Sequence, residues 1–68
     1  SINCQIISGS NTYNPVTVTT REEDEEAVRK TFSFNISGGI ENYKIKISGS
    51  RSSNAEPFSI VERIDIAY

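Results

Sequence analysis

The sequence contains no histidine, tryptophan, methionine or leucine, and Cys4 is its only cysteine. Without histidine, the chain lacks the commonest metal ligand and general base of proteins. A single cysteine excludes a disulfide within the chain. We interpret Cys4 as a small buried hydrophobe, as free cysteines usually are, and no basic residue stands near it in sequence to make it reactive. A cross-link to another chain is the alternative. There is no run of about 18 apolar residues and no signal-peptide pattern. We therefore expect no enzyme, no cofactor and no membrane association.

The chain is also short and carries little net charge. Its 68 residues suffice for one domain, residues 1–68, and seven basic residues scattered along it leave a formal net charge of −2. Without a basic patch, we expect no nucleic-acid partner. A core of this size rarely contributes more than ~3–5 kcal/mol, so small domains usually rely on disulfides, metals or other chains. Contact with other chains or domains is the stabilising device that this sequence leaves open.

The apolar residues that are present favour strands. There are ten isoleucines, four valines and three alanines, together with five threonines and six aromatic residues. β-Branched and aromatic side chains fit a pleated sheet, whereas leucine, methionine and alanine favour helices. The composition therefore predicts an all-β protein.

The clearest pattern lies in residues 31–49. The segments Thr31–Ile36 and Tyr43–Ile47 alternate apolar and polar residues with the period of two that is typical of a β-strand. Between them, Ser37-Gly38-Gly39 gives the backbone freedom to reverse direction. We predict a central hairpin whose apolar side chains all lie on one face: Phe32, Phe34, Ile36, Tyr43, Ile45 and Ile47.

Two earlier segments predict further strands. Ile2–Ile7 is followed by the turn-forming residues 8–11, and the Asn14-Pro15 pair marks a turn before Val16–Thr20. In the second of these strands we expect Val16 and Val18 to face inward.

The last strand follows a polar loop that we place at residues 49–56. In the segment after it, Phe58, Ile60, Ile64, Ile66 and Tyr68 share one parity, and Glu62 is the only polar residue at that parity. This pattern favours one long strand with a bulge near Glu62-Arg63 over two short strands around a bend.

Residues 21–30 are the acidic part of the chain. Only Ala27 and Val28 are apolar there, so a helix would have almost no face to bury, and we expect a solvated loop or one helical turn that crosses between strands. Val28–Lys30 would then extend the following strand. We interpret the run Glu22–Glu26 as solvated. The alternatives are binding of a basic partner and binding of Ca²⁺, although the run lacks the spacing and the glycine of an EF-hand loop.

The central segment resembles the second and third strands of immunoglobulin-like modules of the polycystic-kidney-disease type. In these modules a strand ends near Ser-Gly-Gly and a tyrosine opens the next strand; the matching residues here are Phe32, Phe34, Ser37, Gly38, Gly39, Tyr43, Ile45 and Ile47. The aromatic residue that usually follows the tyrosine is absent, and Ile45 takes its place. A full module has about 100 residues and about seven strands. The resemblance implies a small immunoglobulin-like β-sandwich of five to six antiparallel strands, used as a spacer, adhesion or assembly unit.

These observations favour a non-enzymatic structural or assembly module over the alternatives. A sandwich of this size leaves open edges that pair readily with other chains, as a homo- or hetero-oligomer. We expect a component of a phage or viral particle, because the chain begins at Ser1 like a complete short reading frame without a signal peptide. The alternatives are a bacterial cell-surface adhesion or spacer module and a module that binds Ca²⁺ or carbohydrate. Carbohydrate binding generally uses several exposed aromatic residues, and Tyr13 is the single aromatic residue outside the predicted core positions. No residue is assigned to a catalytic, cofactor or metal site.

Overall fold

A computed structural model shows that the chain is built from six β-strands. It describes residues 1–24, 27–51, 53 and 58–68 (of residues 23 and 24, the backbone only), and none of them lies in a helix. Accordingly, this part of the chain has no apolar helix of membrane-spanning length. The strands are β1 (Ile2–Ser8), β2 (Asn11–Tyr13), β3 (Thr17–Asp24), β4 (Ala27–Asn35), β5 (Tyr43–Gly49) and β6 (Phe58–Ala67). The all-β prediction is confirmed.

The strands form two sheets of three strands each. Sheet A has the strand order β2-β1-β5, and sheet B has the order β3-β4-β6. One cluster of buried side chains, none more than 2% exposed, joins the two sheets. Sheet A contributes Cys4 and Ile6, and β4 with the residue after it contributes Phe32, Phe34 and Ile36. Cys4 is thus a core residue, as its interpretation from sequence required.

Sheet A begins with a tight hairpin that was not predicted in full. Ser8 pairs with Asn11, so only Gly9 and Ser10 form the turn, and Gly9 has a φ of 60°. A left-handed first turn residue matches the right-handed twist of the strands, and glycine adopts it without strain. The return strand β2 escaped prediction because its three residues are too few to show alternation. It places Tyr13 opposite Ile6 and against the core, so this aromatic residue was wrongly excluded from the core positions.

The two central strands were predicted correctly, but their hairpin was not. β4 belongs to sheet B and β5 to sheet A, where β5 pairs antiparallel with β1. Between them the chain crosses from one sheet to the other. Gly38, Gly39 and Asn42 all have positive φ, at 81°, 74° and 54°, and these left-handed residues redirect the backbone. The glycines therefore have the conformational role that the sequence predicted, in a crossing rather than a hairpin turn.

Most of the acidic segment is strand rather than loop. β3 and β4 pair antiparallel, with Thr17 opposite Ser33 at one end and Asp24 opposite Ala27 at the other. Residues 21–24 therefore extend β3, although a loop or a helical turn was predicted there. Residues 28–30 belong to β4, as predicted. Cross-strand pairing between β3 and β4 outweighs the local acidic character of this segment. Glu25 and Glu26 lie outside the described residues, as do residues 52 and 54–56 of the predicted polar loop 49–56.

The last strand is continuous and irregular at the predicted position. Lys30 pairs with Val61 and Thr31 with Arg63, so Glu62 is an extra residue without a partner on β4. The single long strand with a bulge is confirmed. Because an inserted residue reverses the side-chain parity, Val61 rather than Ile60 joins Ile64 and Ile66 beside the core. The prediction that Phe58 and Ile60 share the inward face was therefore wrong.

The pairing direction of β6 was also mispredicted. β4 and β6 are parallel from Ala27 opposite Phe58 to Asn35 opposite Ala67. The Ile36 N–H continues this pairing by donating to the carbonyl oxygen of Ala67 at 2.8 Å. The antiparallel prediction is therefore wrong for this pair, while the β1–β2, β1–β5 and β3–β4 pairs are antiparallel. Parallel neighbours need a long crossover connection, and here the chain passes through β5 in the other sheet before it returns.

Candidate functional site

The described part of the chain brings together no set of residues with catalytic or metal-binding chemistry. Cys4 is buried, and loss of solvent around it raises the pKa of its thiol, which disfavours the reactive thiolate. Among the side chains that the structure describes, no three histidine, cysteine or acidic residues are grouped so as to hold a metal ion. Of the acid run, Glu22 is exposed in β3, and the side chains of residues 23–26 lie outside the description.

The two most exposed aromatic residues do not form one surface. Phe58 and Tyr68 are 63% and 71% exposed, and they lie at the two ends of β6. At a rise of about 3.3 Å per residue, the length of this strand separates them by roughly 30 Å. Phe58 is covered on one side by Arg51, whose guanidinium carbon lies 4.2 Å from the ring centroid. Tyr68 instead packs its ring edge against Gly39.

A cleft of about 420 Å³ lies beside Phe58 where β1 begins and β5 ends. Hydroxyl groups, backbone and the Arg51 side chain line it, with Phe58 and Ile2 as its apolar residues. Among the described residues that line it, none carries a carboxylate that could act with Arg51 in acid–base chemistry. The cleft is open to solvent, and it lacks the enclosure of a small-molecule site.

The most distinctive surface is the inner face of β5. Ile45 and Ile47 lie opposite Ile6 and Cys4 of β1, and directly opposed residues of an antiparallel pair project to the same side of the sheet. Tyr43, Ile45 and Ile47 therefore face the core side, yet they are 39%, 43% and 51% exposed. Sheet B covers β1 and leaves β5 partly uncovered. The sequence predicted which face of β5 these residues occupy but not that this face would be exposed.

The outer edge of β5 is also open. β5 pairs with β1 on one side, and no strand among the described residues pairs with its other side. An unpaired edge presents backbone N–H and C=O groups that can pair with an added strand. An uncovered apolar stripe next to such an edge can accept both the backbone and the side chains of another chain. We call Tyr43, Ile45, Ile47 and this free edge the β5 surface.

β3, an edge strand of sheet B, also has exposed apolar residues beside it, but fewer than β5 has. Val18 lies opposite Phe32 and thus faces the core side, but it is 45% exposed. Val16 precedes the strand, donates its N–H to the carbonyl oxygen of Ser33, and is 66% exposed. Both valines were predicted to be inward. Val18 is on the core side but is only about half covered, and Val16 is mostly exposed.

No protein-family model, no curated protein and no solved structure matches the chain.

Proposed function

We propose that this protein is a non-enzymatic structural or assembly module that pairs with other protein chains through its open sheet edges. The β5 surface carries the proposal, since it combines an unpaired edge with an apolar stripe that the chain itself leaves exposed. Exposed apolar patches of this kind mark interaction sites in soluble proteins. The small core supports the same conclusion, because the described residues include five buried side chains, which are few for a domain that must fold alone.

We further propose that the two sheets are a reduced immunoglobulin-like sandwich. The crossing from β4 to β5 supports this assignment, because the second and third strands of such sandwiches belong to different sheets. The exposed Ile45, at the position that an aromatic residue takes in the modules it resembles, is one departure. The parallel β4–β6 pair departs from the antiparallel arrangement that the resemblance implies.

The setting that we propose is a phage or viral particle, in which rigid packing keeps the edges of every subunit permanently paired. A bacterial cell-surface adhesion or spacer module is the alternative, and it differs in requiring the domain to be stable without neighbours. Binding of Ca²⁺ by the acidic segment is a third hypothesis. A melting temperature that stays unchanged when Ca²⁺ is added would eliminate it.

Sedimentation equilibrium, with circular dichroism on the same sample, tests the proposal. We expect the 68-residue chain by itself to be either a β-rich oligomer or an incompletely folded monomer, because its edges lack their partners. A monomer that unfolds cooperatively and whose midpoint is independent of protein concentration would overturn the assembly role. That outcome would instead support a spacer or adhesion module.

A further inference from the structure

The charges of sheet A are confined to one strand. β1, β2 and β5 are described in full, and they contain two charged side chains, Lys44 and Lys46. Both lie on the outer face of β5, opposite Ile7 and Gln5 of β1. The chain as a whole has a net charge of −2, so this basic strand contrasts with its surroundings. Among the described side chains, no carboxylate forms an ion pair with either lysine.

The lysines disfavour a second copy of the chain at this edge. In a symmetric antiparallel dimer, the register that aligns all three apolar residues places Ile45 opposite its own copy and Tyr43 opposite Ile47. The same register places Lys44 opposite Lys46 twice. Like charges directly opposite each other destabilise a strand pair. Other registers separate the lysines only by leaving part of the apolar stripe uncovered.

Lysine at a sheet edge can also serve only to block pairing, but β5 lacks the pattern of a blocked edge. Natural edges prevent association with lysines on the edge strand, with charges that point inward, with bulges or with very short strands, and of these devices β5 has only the lysines. In β5 the inward positions are apolar, the seven residues pair regularly with β1, and the charges lie on the outer face. An added strand can therefore cover the apolar stripe and place its own polar side chains beside the lysines.

We propose that the β5 edge accepts an extended segment of a different protein in which acidic residues alternate with apolar ones. The acidic side chains lie beside Lys44 and Lys46, and the apolar side chains cover Ile45 and Ile47. Backbone pairing supplies the affinity, and the charges select the partner. This inference rests on the proposed assembly function and specifies the partner of the β5 surface.

Fluorescence anisotropy with labelled peptides tests the inference. The probe is a soluble peptide of alternating glutamate and valine, and the matched control has lysine in place of every glutamate. We expect the chain to bind the glutamate peptide about tenfold more tightly, because two cross-strand charge pairs change from repulsive to attractive. Added salt should weaken this preference, since exposed charges are screened.

A charge-reversed variant provides the decisive control. Both lysines are exposed, so the double variant Lys44→Glu, Lys46→Glu should retain the circular dichroism spectrum of the parent chain. We expect it to reverse the preference and bind the lysine peptide more tightly. Equal binding of both peptides, or an unchanged preference in the variant, would overturn the inference.

The failure of the inference can be distinguished from failure of the proposed function. If the chain alone is an oligomer or incompletely folded, and neither peptide binds or increases its β signal, the assembly role stands and the acidic-strand partner is wrong. If the chain is a stable folded monomer and neither peptide binds, both are wrong.

Discussion

Ile45 lies directly opposite Ile6 on neighbouring strands of sheet A, yet Ile6 is fully buried whereas 43% of Ile45 is exposed. The two side chains are identical and project to the same side of the sheet. Their difference in burial therefore arises because sheet B covers β1 and does not fully cover β5. One row of cross-strand partners thus contains both the centre of the core and the start of the β5 surface.

This pair predicts a large difference between two identical substitutions. Ile6→Ala should lower the free energy of unfolding by about 2–5 kcal/mol, as expected for a large-to-small change in a core. Ile45→Ala should lower it by about 1 kcal/mol or less, because much of this side chain is already in water. Chemical denaturation at one fixed protein concentration measures both. Equal losses would mean that β5 is covered in solution, and a dilution series would then identify the covering chain as a second copy.

The backbone of the crossing between the sheets gives a second prediction. Gly38 has a φ of 81°, and a Cβ added to it would meet no atom within 4 Å. Gly38→Ala therefore tests the left-handed backbone without a steric clash, and we expect it to cost about 1–2 kcal/mol. Gly38→Asn should cost less, because asparagine tolerates this region, as Asn42 does four residues later. Equal costs for alanine and asparagine would show that the crossing changes conformation in solution.

The pKa of Cys4 links the core to pH. Burial raises the pKa of this thiol above its value in the unfolded chain, which is about 8.5. As the pH rises through that value, the unfolded state loses the proton first, so the stability of the folded state falls. We expect the parent chain to lose stability relative to Cys4→Ala between about pH 7 and about pH 9.5. Denaturation midpoints of both chains measure this, and the two chains differ only at residue 4. Parallel pH profiles would contradict a buried thiol.

The sequence predicted local features well because they depend on neighbouring residues. Alternation around Phe34 and Ile45 identified β4 and β5, and the break at Glu62 located the bulge. It could not predict which strands pair, because period-two alternation is the same for a strand in either sheet and for parallel or antiparallel neighbours. The parallel β4–β6 pair and the separation of β4 from β5 are therefore results of long-range packing.

The β5 surface could not be predicted from the sequence for a related reason. An apolar alternating residue is typical of a core face, and nothing local distinguishes Ile45 from Ile6. Only the extent of the opposite sheet decides that one is buried and the other exposed. The lysines of β5 are visible in sequence, but their isolation in an otherwise uncharged sheet depends on the strand order β2-β1-β5.

The bulge in β6 gives the sharpest test of the register. Glu62 is the extra residue between Val61 and Arg63, so its deletion restores regular alternation with Val61 and Ile64 still on the core side. The deletion also removes the exposed ion pair between Glu62 and Arg21, which is worth about 0–1 kcal/mol. We expect the shortened chain to retain its strand content and to lose at most about 1 kcal/mol of stability.

Deletion of Asp65 is the matched control, because it removes one residue from the regular part of the same strand. Ile66 would then turn to the outer face, and Ala67 would take its place opposite Phe34. Removing an isoleucine side chain from the core should cost about 1.5–3 kcal/mol, a large share of the stability of so small a domain. Circular dichroism during denaturation compares the two deletions. If loss of Glu62 proves as damaging as loss of Asp65, the bulge is not at Glu62, and Val61 does not share the core face with Ile64.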